Sequence, residues 1–263
     1  MLPSLFVAHG APLLAIENNN YTKFLKKLAN DLPRPQTIIL FSAHWESNVQ
    51  KVSCVDEYST IYDFGNFAEE LYRIEYPAKG NRKLVKEIEA LFKQQGISYE
   101  VDTKRGLDHG AWVVLKLMYP NVDIPVISMS VNPNLSADKQ YEIGKVLSDL
   151  KKQNVLIMAS GGTVHNLRAV NFSKDNGEAE DWALEFDMWL EDQLKKWNFS
   201  SLCRYESIAP FSQIAVPPHG NEHFIPIFYA MGAANDHQTA SLLHRSYRYG
   251  NLSHSVWQFG TVI

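Results

Sequence analysis

Four short, unbroken apolar runs constrain this chain more than any other feature: Leu5 to Ala8, Thr37 to Ser42 (TIILFS), Ile124 to Val131 (IPVISMSV) and Val155 to Ala159 (VLIMA). A strand with one wet face alternates apolar and polar residues. A run with no alternation must be covered on both faces, as in a largely parallel sheet flanked by helices. Helical periodicity fills the intervals, over Tyr21 to Leu32 (ended by Pro33), Asn81 to Gln95 (closed by Gly96), Gly110 to Met118, Ala137 to Lys152, Asp181 to Trp197 and Phe224 to Ala234. His254 to Phe259 alternates like a last strand. Ser47 to Pro77 is aromatic and turn-rich, and reads as a long loop or lid.

These elements predict an α/β fold: a single domain over residues 1–263 with a central, largely parallel or mixed β-sheet and helices on both faces. No repeat, low-complexity tract or Pro/Gly-rich linker divides the chain. The net charge of −4 gives no electrostatic case for nucleic acid. No apolar run is long enough to span a bilayer, and the first residues lack the basic start of a signal peptide. Two widely separated cysteines, Cys54 and Cys203, fit a reducing compartment, so a soluble cytoplasmic protein is expected. Oligomeric state is not legible.

Histidine placement carries the functional signal. His9 follows the first strand (VAHGAP), His44 the second (FSAHWES), and His165 lies just past VLIMA (ASGGTVHNL). In open α/β sheets the ligand crevice lies beyond the carboxyl ends of the strands, so three strands deliver three imidazoles to one place. Each has small neighbours that permit close backbone approach. Taken singly, a histidine after a strand is more often a cap or surface residue; the set points to a metal or catalytic centre. His109 (GLDHGAW) has two readings, a helix start capped by Asp108 or a substrate-facing group. His219, Glu222 and His223 cluster in VPPHGNEHFIP, whereas His237, His244 and His254 have no partner-like context and read as structural or surface residues. There is no nucleophile elbow, phosphate-binding loop, dinucleotide fingerprint or CxxC pair.

Several blocks together are similar to a known family: AHGAP (8–12), LPRPQTIILFSAHWES (32–47), IYDFGNF (61–67), YRIEYPAKG (72–80), GLDHGAW (106–112), MYPNVDIPVISMSV (118–131), ASGGTVHNLR (159–168) and NEHFIPIFYAMG (221–232). In this order they resemble the LigB-like superfamily of class III extradiol ring-cleavage dioxygenases, and most closely its 4,5-DOPA extradiol dioxygenase branch.

The resemblance implies His9 and His44 as metal ligands. It implies a third from the Glu222-His223 pair: His223 by analogy with the DOPA branch, with Glu222 the rival from protocatechuate-type relatives and His219 third. It makes His165 the general base and a candidate fourth ligand, and gives His109 a contact with substrate or oxygen. The implied reaction opens a catechol such as L-DOPA beside its diol and incorporates both atoms of O2. Fe(II) is the expected metal for turnover, with Zn(II) a plausible occupant of purified protein. Trp45, Tyr62, Phe64 and Trp112 are candidates to wall the ring, each more often core than pocket when taken alone. The competing readings are a zinc-dependent hydrolase and a non-catalytic binding protein on the same fold.

Overall fold

The computed structural model describes residues 1–174 and 177–260. The strands are β1 (Ser4–Ala8), β2 (Thr37–Glu46), β3 (Gln50–Ser53), β4 (Tyr99–Asp102), β5 (Val126–Val131), β6 (Val155–Gly161), β7 (Ala240–His244), β8 (Tyr247–Arg248), β9 (Leu252–Ser253) and β10 (Val256–Phe259). The principal helices are α1 (Asn20–Asp31), α2 (Arg82–Gln94), α3 (His109–Met118), α4 (Ala137–Val146) and α5 (Asp181–Lys195). Three single-turn helices follow, α6 (Phe199–Leu202), α7 (Tyr205–Ile208) and α8 (Ser212–Ala215), and then α9 (Pro226–Gly232).

Eight strands form one sheet in the order β4-β3-β5-β2-β6-β1-β10-β7, while β8 and β9 pair separately. The four unbroken apolar runs are its centre: β5, β2, β6 and β1 are mutually parallel. Antiparallel pairing of β3 with β5, and of β10 with β1 and β7, makes the sheet mixed. Successive residues of the central strands bury on opposite faces, as pleating requires. Phe6, Ile39, Phe41, Ile127 and Ile157 pack with residues of α2, α4, α5 and α9. Leu5, Val7, Ile38, Leu40 and Leu156 pack with residues of α1 and α3. Both faces are thus covered, which is why these runs need no polar alternation.

Helix limits follow local chemistry. The Asn19 side chain accepts from Thr22 N–H in a capping box that starts α1, and the Asp108 side chain accepts from Ala111 N–H to start α3. Pro226 occupies the first turn of α9 and fixes its start.

Four expectations need correcting. Ser47 to Pro77 is not wholly a loop: it contains β3, whose Val52 and Ser53 are buried in the sheet, and a 3-10 turn at Glu69–Arg73. The helix expected over Ala137 to Lys152 ends at Val146 and gives way to a 3-10 segment, Ser148–Gln153. His44 lies inside β2 rather than after it, in a stretch where the pairing of β2 with β5 shifts register between Phe41 and Glu46. Such irregularities re-aim side chains next to functional sites. Strands β4 and β7, four and five residues at the two sheet edges, have no counterpart among the expected elements.

Candidate metal centre

β6 lies between β1 and β2, so the carboxyl ends of these three neighbours bring His9, His165 and His44 to one end of the sheet. His223 arrives from the chain just before α9. Its carbonyl accepts from Gly162 N–H at 2.8 Å, which fastens the E-H segment to the end of β6. This contact requires a glycine at 161, because a Cβ there would lie 2.0 Å from the His223 carbonyl oxygen.

Ligand nitrogens of His9, His44 and His223 all lie within 4.8 Å of one another. His9 and His223 are buried and His44 is partly so. The outer nitrogen of each ring faces an acceptor. His9 Nδ1 is 2.9 Å from Ser160 Oγ, whose own hydroxyl is donated to the Gly110 carbonyl, so the serine can only accept from the imidazole. His223 Nδ1 is 2.9 Å from Glu222 Oε1, and His44 Nδ1 is 3.4 Å from Asp63 Oδ2. The hydrogen bonds of His9 and His223 place the proton on Nδ1 and leave Nε2 as a bare lone pair, and the Asp63 charge beside His44 Nδ1 favours the same form there.

With the outer nitrogens protonated, the inner nitrogens meet without hydrogens between them. His44 Nε2 and His9 Nε2 stand 3.0 Å apart, and His223 Nε2 is buried with no hydrogen-bond partner among the described residues. Unprotonated nitrogens in such proximity repel, and an orphaned buried acceptor costs roughly 1–3 kcal/mol. A cation that accepts all three lone pairs removes both penalties, so the residues fit a metal held by three neutral imidazoles with outer-ring partners fixing their orientation. Burial, then the neighbouring imidazoles, push His9 and His223 well below the usual histidine range. Burial and His109 lower His44 to about 4 against the opposing pull of Asp108, Asp63 and Glu222. Neutral rings are the form that can ligate.

Glu222 is bonded to the outer nitrogen of His223, and it is the histidine that belongs to the three-donor group. His219, with left-handed backbone at φ 60°, lines a neighbouring cavity of about 410 Å³ together with Glu46, Glu206 and Glu222, and is not in that group. His165 is outside it too. Its ring lies flat on His223, with 3.8 Å between centroids and 4° between planes. Burial and His223 lower its pKa to about 3. His109 opens α3, its ring 4.0 Å from that of His44. Asp108 caps the helix, as the first reading of GLDHGAW expects, and His109 faces the histidine cluster.

Of the four aromatic candidates, Trp112 is fully buried in the core beneath the site and donates its indole N–H to the Ile61 carbonyl. Trp45 is buried against the Arg105 guanidinium. Phe64 meets His109 edge-on at 5.8 Å and clusters with Tyr62, Phe67 and Tyr72. Residues 61–67 thus form one wall of the site. Ser160, Asp63 and Arg105, which donates to the His44 carbonyl, were absent from the sequence expectations. Ser160 stands 151 positions from the ring it holds, and only its place at the end of β6 hints at it.

Comparison with known proteins agrees with this architecture. The family described as "Catalytic LigB subunit of aromatic ring-opening dioxygenase" matches residues 3–260. A protein of Mirabilis jalapa named 4,5-DOPA dioxygenase extradiol is 38% identical over 263 residues, covering 98% of this chain and 97% of its own. An Escherichia coli K12 protein of the same name is 32% identical over 263 residues, 98% of this chain and 95% of its own. A crystal structure of an uncharacterized protein from Escherichia coli K12 superposes with a TM-score of 0.82 at 30% identity, covering 99% of this chain and all of that one. The chain belongs to the LigB family of aromatic ring-opening dioxygenases.

Proposed function

We propose that this protein is an extradiol dioxygenase that opens a catechol such as L-DOPA beside its two hydroxyls, at a metal held by Nε2 of His9, His44 and His223. The observation that carries the reading is the convergence of three imidazole nitrogens, one of them buried without a hydrogen-bond partner among the described residues. Bound Fe(II) would supply the redox chemistry with dioxygen that Zn(II) lacks, and three neutral ligands would leave coordination positions free. Zinc is the expected contaminant of purified protein, since a three-His site offers it the nitrogen donors it favours.

The chain's own residues do the rest. His165, half-buried and held in place by its backbone N–H to the Ala215 carbonyl, accepts a proton from a catechol hydroxyl. Its flat stack on His223 keeps it beside the metal ligands without making it one of them. His109 lines the other side of the cluster. The Tyr62-Phe64-Tyr72 group gives the ring an apolar flank. The names of the relatives favour DOPA over other catechols. Among the described residues no helix is long and apolar enough to cross a membrane, and both cysteines are free thiols, which favours the cytoplasm.

The test is anaerobic reconstitution of the apoprotein with Fe(II), followed by L-DOPA and oxygen. The expected result is stoichiometric O2 uptake with a yellow ring-opened product. Catechol consumption without O2 incorporation, or no turnover with any catechol, overturns the reading.

A further inference from the structure

One carboxylate touches both a proposed metal ligand and the second active-site histidine. Asp63 Oδ1 accepts from the backbone N–H of His109 at 2.9 Å and lies 2.9 Å from His109 Nδ1, while Oδ2 is 3.4 Å from His44 Nδ1. Asp63 belongs to the aromatic segment that walls the site. Its neighbours pin that segment: Ile61 N–H donates to the Leu107 carbonyl at 2.7 Å, and the Ile61 carbonyl accepts from Trp112. The carboxylate is therefore held in place from the core rather than swinging on a free loop. His44, Asp63 and His109 place their polar atoms within 4.8 Å of one another. Two protonated nitrogens sharing one carboxylate explain that grouping without a second cation.

We infer that Asp63 is the positioning residue of this centre, fixing both His44 and His109 as Nδ1–H imidazoles with a single side chain. A carboxylate has no proton to give, so the hydrogen-bonded His109 Nδ1 must be the donor, and the negative charge 3.4 Å from His44 Nδ1 favours the proton there as well. For His44 the consequence is a lone pair on Nε2, aimed at His9 Nε2 and the proposed metal. For His109 it is a bare Nε2 on the side of the ring away from Asp63. That nitrogen can then only accept a hydrogen bond, and the carboxylate holds the ring in this orientation, the role that a buried aspartate plays toward histidine in hydrolytic triads. No proton passes to Asp63 itself. The consequence for turnover rests on the ring-opening reading; the tautomers and the metal affinity do not.

The test uses the full chain loaded with Zn(II), which is diamagnetic. Nitrogen-15 NMR of the histidine side chains is expected to show His109 protonated at Nδ1 in the wild type, the minority tautomer of free imidazole in water. Asp63→Ala should return His109 to the Nε2–H form and lower zinc affinity, read by chelator competition, about 10- to 100-fold. Asp63→Asn is the separating variant. Its one carbonyl oxygen can keep both His109 contacts that Oδ1 makes now, while its amide N–H group faces His44. It should preserve the His109 tautomer and still weaken zinc. With Fe(II) and L-DOPA, Asp63→Ala should lower kcat about 10- to 100-fold and leave KM within about twofold. Wild-type His109 protonated at Nε2, or zinc affinity equal in wild type and Asp63→Ala, overturns the inference. The wild-type spectrum decides the tautomer even if a variant folds poorly. A wild type that binds zinc with the expected tautomer but opens no catechol would sink the proposed function and leave this assignment standing.

Discussion

His165 and His223 lie face to face, 3.8 Å between ring centroids and 4° from parallel, although 58 positions separate them in the chain (223 − 165). A face-on stack sets His165 alongside a ring of the three-donor group without adding a donor of its own to it. Loss of His165 should therefore remove proton transfer and spare the metal. His165→Ala is expected to retain one equivalent of metal while kcat falls about 10²- to 10⁴-fold, the usual range for a general base. His44→Ala should lose the metal. Elemental analysis of the two variants after the same reconstitution checks this, and equal metal loss in both would make His165 a ligand.

Glu222 holds the outer nitrogen of His223, so its charge and its acceptor both bear on the metal. Glu222→Gln keeps the length of the side chain and removes the charge. Metal affinity should fall about 10- to 100-fold, with the fold intact. Chelator competition on the zinc-loaded protein measures it, and an unchanged affinity would show that the Glu222 contact does not matter.

Gly161 and Gly162 make an internally controlled pair. A Cβ on Gly161 would meet the His223 carbonyl at 2.0 Å, whereas on Gly162 its nearest contact, the His165 Cβ, is 3.6 Å away. Gly161→Ala should cost about 1–3 kcal/mol of stability through overpacking and displace His223. Gly162→Ala should change stability by less than about 1 kcal/mol. Denaturant melts with metal titration distinguish them.

His254 predicts a pH dependence away from the metal. It is buried, stacked on Tyr21 at 4.7 Å, and burial first, then Arg248 and His244, lower its pKa to about 3. Unfolded histidine titrates near 6.5, so below that pH the unfolded chain binds a proton the folded chain refuses. Stability from this residue is present above pH 6.5 and is lost as pH falls from about 6.5 toward 3, on the order of a few kcal/mol in total. His254→Phe keeps an aromatic stack and cannot protonate, so the gap between wild type and variant should narrow or reverse with acidification. Parallel slopes from pH 7 to 4 would contradict the assignment.

The central sheet was legible because its four strands are buried on both faces, and an unbroken apolar run records that directly. Strand β3 was not, since Gln50–Ser53 sits in a turn-rich stretch and its burial comes from β5 and β4, which are remote in sequence. The end of α4 at Val146 was also hidden, because helical periodicity runs on through a 3-10 segment. Histidines at or near strand ends announced the cluster, as neighbouring parallel strands end on one side of the sheet. What the sequence could not supply was the layer that sets the tautomers: Ser160, Asp63 and Glu222 act through hydrogen bonds, and only the folded register shows which ring each one meets. His254 shows the same limit from the other side, for nothing in LSHSVW marks its ring as buried against Tyr21.

The most direct test of the central claim is anomalous diffraction at the zinc edge from crystals of the zinc-loaded protein. The account predicts one peak within about 2.0–2.1 Å of Nε2 of His9, His44 and His223, with Glu222 and His165 outside bonding distance. A peak bonded to a Glu222 oxygen, to His165 or to His219, or no peak among these three histidines, would contradict it.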